Sequence, residues 1–423
     1  MKKRKKIILG SITGALALAL AGGGFWAYKT FVPQETPIDK NATIASNFYQ
    51  AVNKEWLLKA KIPVDSPSID SFYTLDEDVK GKLKKDIKNL GEGKESSDIT
   101  GMSEFITFYK AASDYKQREK DGLEPLKPYL KEIEDIKDLN DLANKSANLT
   151  DKGIPLPFGY NVGTNAENTS QKQIQLSPPS ILLPDVSIYK DESSKKQYLT
   201  PIETATQKAL EMLGYSEKNS KRIVKEALEF DEIIAKYSLS NEEMSESKNL
   251  VHPKTAEEIN AYSGSFKLYD VIKGIMGRDL ETINVPNTKY FENYSKVVNQ
   301  DNFSKIKSWM LMQEAMAASN SLTEDYRLNF ASISMAIMGT QKPISKEDTV
   351  YEMSVNLFSD VMSVYYGRKY FGEEAKTDVT GMIDKIKNVY RGRLQQNDWL
   401  TEETRNKAIE KLDKMKVFVG YQE

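Results

Sequence analysis

The chain contains no cysteine. That absence removes disulfide staples, thiolate-held zinc, iron–sulfur clusters and thiol nucleophiles together. Histidine is almost missing too, with His252 the only one in 423 residues. Neutral imidazole is the commonest metal ligand and the commonest general base near pH 7, so a centre built on two or three histidines is excluded by inventory. An excess of charge of one sign is also lacking. Lys and Arg number 59 against 61 Asp and Glu, a net charge of −2, which leaves no basic field to gather a phosphate backbone. No nucleic-acid partner is expected.

Several catalytic strings are absent as well. There is no G-x-S-x-G elbow, no G-x-x-x-x-G-K-S/T phosphate loop and no H-E-x-x-H helix, the last being the compact way to place two zinc ligands and a general base on one face. The acids are scattered, and no spacing singles out a glycosidase-like pair. His252 stands in Val251-His252-Pro253-Lys254, just before a helix start near Thr255-Ala256-Glu257-Glu258. It reads as a turn or surface histidine without a catalytic role. No repeat of fixed period and no sustained heptad occurs, so a solenoid or coiled coil is not supported.

What is present is a globular body. With 39% apolar and 28% charged residues, the chain can bury one large core or two ordinary ones. Lys2, Lys3, Arg4, Lys5 and Lys6 precede an uncharged run from Ile7 to Tyr28, long enough to cross a hydrocarbon core of roughly 30 Å as a helix. Phe25, Trp26 and Tyr28 suit an interfacial belt and an uncleaved anchor, whereas Ala19-Leu20-Ala21 suits a cleavable signal. Both readings put the body outside the cytoplasm, either on a single-pass plasma-membrane anchor or secreted. The expected divisions are 1–28 as signal anchor or signal peptide, 29–45 as a polar linker with Pro33 and Pro37, and 46–423 as the folded body.

The body reads as mainly α. Apolar residues recur at i, i+3, i+4 and i+7 over Ser103–Gln117, Leu126–Lys145, Thr204–Leu213, Ser220–Leu239, Phe303–Ser319, Tyr351–Tyr370, Asp378–Gln396 and Thr401–Lys416. Val355, Leu357, Phe358, Val361, Met362, Val364, Tyr365 and Tyr366 cover more than one helical face, so that region must be buried on more than one side. Thr401-Glu402-Glu403 puts acids in a first turn, where the helix dipole favours them. One stretch breaks the helical pattern: Ile154–Ser180 is rich in Pro and Gly and alternates at Gln171–Leu176. It predicts a small β-hairpin near 158–176, with strands Phe158–Val162 and Gln173–Leu176.

A resemblance narrows the reading. Asn47-Phe48-Tyr49-Gln50-Ala51-Val52-Asn53-Lys54-Glu55-Trp56-Leu57, then Ile62-Pro63 and Phe72, resembles the opening signature of the neprilysin and endothelin-converting-enzyme family of zinc metallopeptidases, which includes bacterial oligopeptidase O. Later stretches keep that family's order: Phe108-Tyr109-Lys110-Ala111 with Gly122–Leu126, Leu182-Leu183-Pro184-Asp185 with Tyr189, Val251–Thr255, Tyr365–Phe371, and Trp399–Arg405 through Lys411-Leu412 to Val419-Gly420-Tyr421. The likeness spans nearly all of 47–421.

The resemblance implies the multi-helix N-terminal lobe of such a peptidase, which roofs the catalytic lobe and admits only small peptides. The family's H-E-x-x-H, its downstream E-x-x-x-D and its Asn-Ala substrate motif lie outside the matched stretches, and this chain stops at Glu423. The expectation is therefore a chain truncated before the catalytic domain and inactive alone. It would hold no catalytic, cofactor-binding or metal residues, zinc belonging only to the missing domain. Whether the chain is itself an enzyme stays open. Expected partners are a complementary catalytic domain or fragment, peptides, and a membrane through residues 7–28. The alternative is a membrane-anchored peptide- or partner-binding protein without enzymatic activity. Neprilysin holds a substrate carboxylate with arginines around the phenylalanine after I-P, and here those positions match Ser68 and Asp76, which puts inherited substrate preference in doubt.

Overall fold

The structure, a computed structural model, describes residues 38–421. The apolar run Ile7–Tyr28 lies outside them, and among the described residues no helix is long and apolar enough to cross a membrane. The described chain forms two compact units, one holding the residues up to Ile69 with Tyr115–Pro343 and the other Asp70–Asp114 with the residues from Ile344 onward.

The first unit is built on four helices that pack on one another: Glu192–Met212, Glu217–Tyr237, Phe303–Ala317 and Glu324–Met338. Helix Glu217–Tyr237 shows why. Ser216 accepts a hydrogen bond from the Asn219 amide and so satisfies an orphan donor of the first turn. Ile223, Val224, Ala227, Phe230 and Ile234 then fall on one face and are buried, each large side chain contributing about 1.5–3 kcal/mol on leaving water. Phe230 meets Trp309 edge-on, with ring centroids 5.8 Å apart. Helix Phe303–Ala317 is covered on most sides, burying Ile306, Trp309, Met310, Leu311, Met312 and Ala315.

The hairpin forms as expected. β1 (Gly159–Thr164) and β2 (Lys172–Ser177) pair antiparallel, from Gly159 opposite Ser177 to Thr164 opposite Lys172. Ile174 and Leu176 point into the core while their neighbours do not, the period of 2 that a half-buried strand requires. Two further strands were not foreseen. β3 (Pro253–Lys254) and β4 (Ile283–Asn284) complete a four-stranded sheet in the order β1-β2-β4-β3, with β4 parallel to β2. Strands two residues long carry no alternation to read.

The second unit has its own core of Leu83, Ile87, Met102, Phe105, Tyr351, Met362 and Tyr365. These come from helices Ser71–Gly91, Met102–Ser113, Lys346–Leu357 and Ser359–Tyr366. Phe105 packs edge-on against Phe358 with centroids 5.7 Å apart. Most of the wide apolar arc of 355–366 is thus satisfied inside this unit. Helices Gly372–Gln395 and Glu402–Lys414 follow, packed on each other.

Candidate functional site

Among the described residues no three His, Cys, Asp or Glu side chains come together in a way that could hold a metal ion. The donors among the described residues do not fit a zinc hydrolase centre, which needs several nitrogen or carboxylate ligands on one ion. The first unit holds a cavity of about 770 Å³ walled by the Asp185–Lys190 segment, the end of helix Glu217–Tyr237, the Ser240–Glu243 turn and Lys289.

The segment Ile181–Lys190 bends at Leu182-Leu183-Pro184, turns at Val186-Ser187 and tightens into one 3-10 turn at Ile188–Lys190. Asp185 staples it down. Its carboxylate accepts from the Ser187 amide and, across the cavity floor, from the Asn241 amide, each at 2.8 Å. Asn241 returns a bond to the Pro184 carbonyl at 3.1 Å. The Asn241 amide is the main reason that the Asp185 carboxyl lies below its ordinary range. Ser240 and Glu243 form a capping box, the Ser240 amide donating to Glu243 at 2.8 Å, and that backbone bond holds Glu243 low as well. Lys289 donates to the Ser238 carbonyl at 2.9 Å.

Behind the wall lies a buried polar pair. The Tyr189 hydroxyl donates to Asp231, whose other oxygen accepts from the Leu182 amide at 3.1 Å. Asp231 is fully buried on helix Glu217–Tyr237. Burial pushes its carboxyl up to about 7, outweighing the two hydrogen bonds that favour the anion. Burial, together with the Asp231 charge, pushes the Tyr189 hydroxyl well above its usual value. Tyr189 therefore keeps its proton and is no general base. With Asp185 and Glu243 already bound to backbone amides, the cavity offers a visitor Lys190, Lys236, Glu232 and Glu242 around Val186 and Ala235.

His252 lies in the sheet region. Its amide donates to the Asn284 side chain at 2.6 Å, its carbonyl accepts from the Val285 amide at 3.0 Å, and its Nε2 is buried without a partner. Ser68 is exposed in the loop before helix Ser71–Gly91, and Asp76 is exposed on that helix. The structure does not bring these residues to the cavity. The sequence shows Leu182-Leu183-Pro184-Asp185 with Tyr189 as a motif, whereas nothing in it marks the partner Asp231 as strongly. The signal lay in the helical count, since Asp231 stands four residues after Ala227 and three before Ile234 and so sits on the apolar face.

The family model described as Peptidase family M13, in its N-terminal part, matches residues 44–422. The neutral endopeptidase of Lactobacillus helveticus is 32% identical over 386 residues, which cover 91% of this chain and 60% of that protein. The neutral endopeptidase of Lactococcus lactis subsp. lactis is 31% identical over 380 residues, covering 89% of this chain and 60% of its own length. The crystal structure of PEPO from Lactobacillus rhamnosis superposes with a TM-score of 0.83 at 25% identity over 90% of this chain and 60% of that one. The Mycobacterium tuberculosis zinc metalloprotease Zmp1, solved with an inhibitor, shares the fold with a TM-score of 0.77 at 19% identity over 90% and 58%.

Proposed function

Because the chain belongs to peptidase family M13, we propose that it serves peptide proteolysis as a helical lobe that binds and admits peptides. On this reading zinc chemistry falls to the portion of the relatives that this chain does not match. The observation that carries it is the family match over 44–422, on a chain that spans 60% of its neutral endopeptidase relatives. Two exposed apolar faces support it. In the first unit, helix Phe48–Lys59 leaves Phe48, Tyr49 and Val52 largely uncovered. In the second, helix Gly372–Gln395 has no buried residue and exposes Met382, Ile386, Val389 and Tyr390. Faces of this kind mark a partner surface, and the occupant proposed is the remaining portion of such a peptidase. The basic flank and apolar run at 2–28 support placing the body outside the cytoplasm.

The test is to purify the chain and measure bound zinc and chelator-sensitive hydrolysis of a short peptide. Both are then repeated after adding the unmatched, H-E-x-x-H-bearing fragment of a neutral endopeptidase. No stoichiometric zinc and no hydrolysis are expected from the chain alone, with hydrolysis appearing on mixing. Zinc near one equivalent with hydrolysis by the chain alone overturns the reading. A chain that binds peptides but ignores the fragment favours a binding protein without enzymatic activity instead.

A further inference from the structure

β1 stands at one end of the sheet order β1-β2-β4-β3, so one of its edges has no strand beside it. Its register with β2 decides which groups face that edge. The Asn165 amide donates to the Gln171 carbonyl at 3.0 Å, one step beyond the pairing of Thr164 with Lys172. Bonded and non-bonded pairs alternate along an antiparallel ladder. Gly159, Asn161 and Gly163 therefore bond to β2, while Tyr160, Val162 and Thr164 turn their N–H and C=O groups outward. Among the described residues nothing else bonds these outward backbone groups.

Proteins ordinarily blunt such an edge with a charged side chain, a proline or a bulge. β1 has none of these: it reads Gly-Tyr-Asn-Val-Gly-Thr, and its residues pair one to one with those of β2. Val162 lies opposite Ile174 and shares its face of the sheet. Ile174 is buried, yet Val162 is 62% exposed. A strand laid along β1 would meet alternating donors and acceptors and, beside them, an uncovered apolar side chain. The size of the edge selects its occupant. A strip of this length, about 20 Å, and about 10 Å deep offers roughly 200 Å², against about 800 Å² per partner in a stable protein complex. A second copy or a folded partner would need far more surface than the edge supplies, and a short peptide would not.

We propose that the free edge of β1 binds an extended peptide by strand addition, with Tyr160, Val162 and Thr164 pairing to its backbone and Val162 packing on the side chain opposite. Main-chain bonds supply the affinity in this mode and alternate side chains supply the choice. The edge tolerates many sequences, favours an apolar residue opposite Val162 and rejects proline at positions whose N–H must reach β1. The choice of a peptide as occupant rests on the reading of the chain as a peptide-handling lobe.

The test is residue-resolved amide exchange of the full chain with a blocked heptapeptide of alternating threonine and valine between terminal lysines, and with its twin N-methylated at the valines. In the free chain Asn161 and Gly163 should exchange slowly and Tyr160, Val162 and Thr164 fast. Saturating peptide should slow those three by at least about tenfold, and the twin should not. Val162→Pro removes one outward N–H and the apolar side chain but no bond to β2, and should weaken binding roughly tenfold. Absence of binding, binding that leaves the three amides fast, or equal binding of the twin overturns the proposal. So does protection that grows with protein concentration without peptide, which makes a second copy the occupant. Should Val162→Pro fold poorly, the two peptides on the wild-type chain decide. Hydrolysis on mixing with the H-E-x-x-H-bearing fragment, without peptide protection of β1, leaves the peptidase reading standing and overturns this one alone.

Discussion

Asp231 and Asp348 answer acid in opposite directions. Asp231 is pushed up by burial, so its contribution to stability is largest in acid and declines as pH rises from about 4 to about 7. Asp348, in the second unit, is also partly buried, which alone would raise it. Hydrogen bonds from Lys84, Ser345 and Lys80 outweigh that and hold it down at about 2. Its folded value lies below the unfolded one, so its contribution is full above about pH 4 and is lost as pH falls toward 2. In an acid titration followed by residue-resolved exchange, the second unit should lose protection first, and Asp348→Asn should weaken it at neutral pH while flattening its acid response. Equal acid sensitivity in wild type and variant would refute this. Neither residue declares its role in the sequence. Asp348 looks like one more first-turn acid of a helix, and only the fold brings Lys80 and Lys84 to it from a helix more than 250 positions earlier.

At the level of elements, helical periodicity located most helices but ran through their breaks. Ser103–Gln117 is two helices, parted at Asp114, and Leu126–Lys145 is interrupted where Asp138 caps Leu139–Asp151 by accepting from the Asp141 amide at 2.8 Å. The apolar phase survives the second break because Leu130, Ile133, Leu139 and Leu142 join one core, whereas the first break is where the chain leaves the second unit for the first. Pro201 hid the first turns of Glu192–Met212, a helix that tolerates it in its interior. Helix Glu402–Lys414 ends at a Met415 cap, and the chain runs on to Gly420. Gly420 has φ +73°, and a Cβ there would stand 2.7 Å from the Phe371 ring, while a Cβ on Gly367 would strike Tyr421. The two glycines clasp the 415–421 segment onto the π-turn Gly367–Phe371. Gly93 has a similar φ of +70° with open space around it, so Gly93→Ala carries backbone strain of about 1–2 kcal/mol and nothing else. Gly420→Ala adds the displacement of Phe371. Trypsin should therefore cut after Lys416 sooner in Gly420→Ala than in Gly93→Ala or wild type. Equal rates in the two variants would show that the clasp does not hold the segment.

At the level of the whole molecule, the sequence predicts an apolar region at 355–366 that needs cover on more than one side, and the structure places the uncovered part further along the chain. Tyr351, Met362 and Tyr365 are buried within their own unit, and of the residues that suggested the wide arc Leu357 is the most exposed, at 64%. The open face belongs instead to helix Gly372–Gln395. Met382, Ile386, Val389 and Tyr390 recur at i, i+4, i+7 and i+8, a stripe about 100° wide, and each is at least half exposed. Helix Glu402–Lys414 covers a different side, tied through the Arg391–Asp413 pair. Hydration of such a stripe is relieved by any complementary apolar surface, whether another copy or the peptidase fragment proposed above. A chain beginning at Ile38, free of the upstream apolar run, should then show a sedimentation coefficient that rises with concentration over tens of micromolar. Ile386→Lys should abolish that rise while leaving the melting temperature nearly unchanged, because a substitution at an exposed site alters folding stability by only about 0.5 kcal/mol. Adding the H-E-x-x-H-bearing fragment should replace self-association with a one-to-one complex that Ile386→Lys weakens. A chain that stays monomeric at every concentration, and whose complex is indifferent to the substitution, would take this face out of the docking surface and leave helix Phe48–Lys59 to supply it.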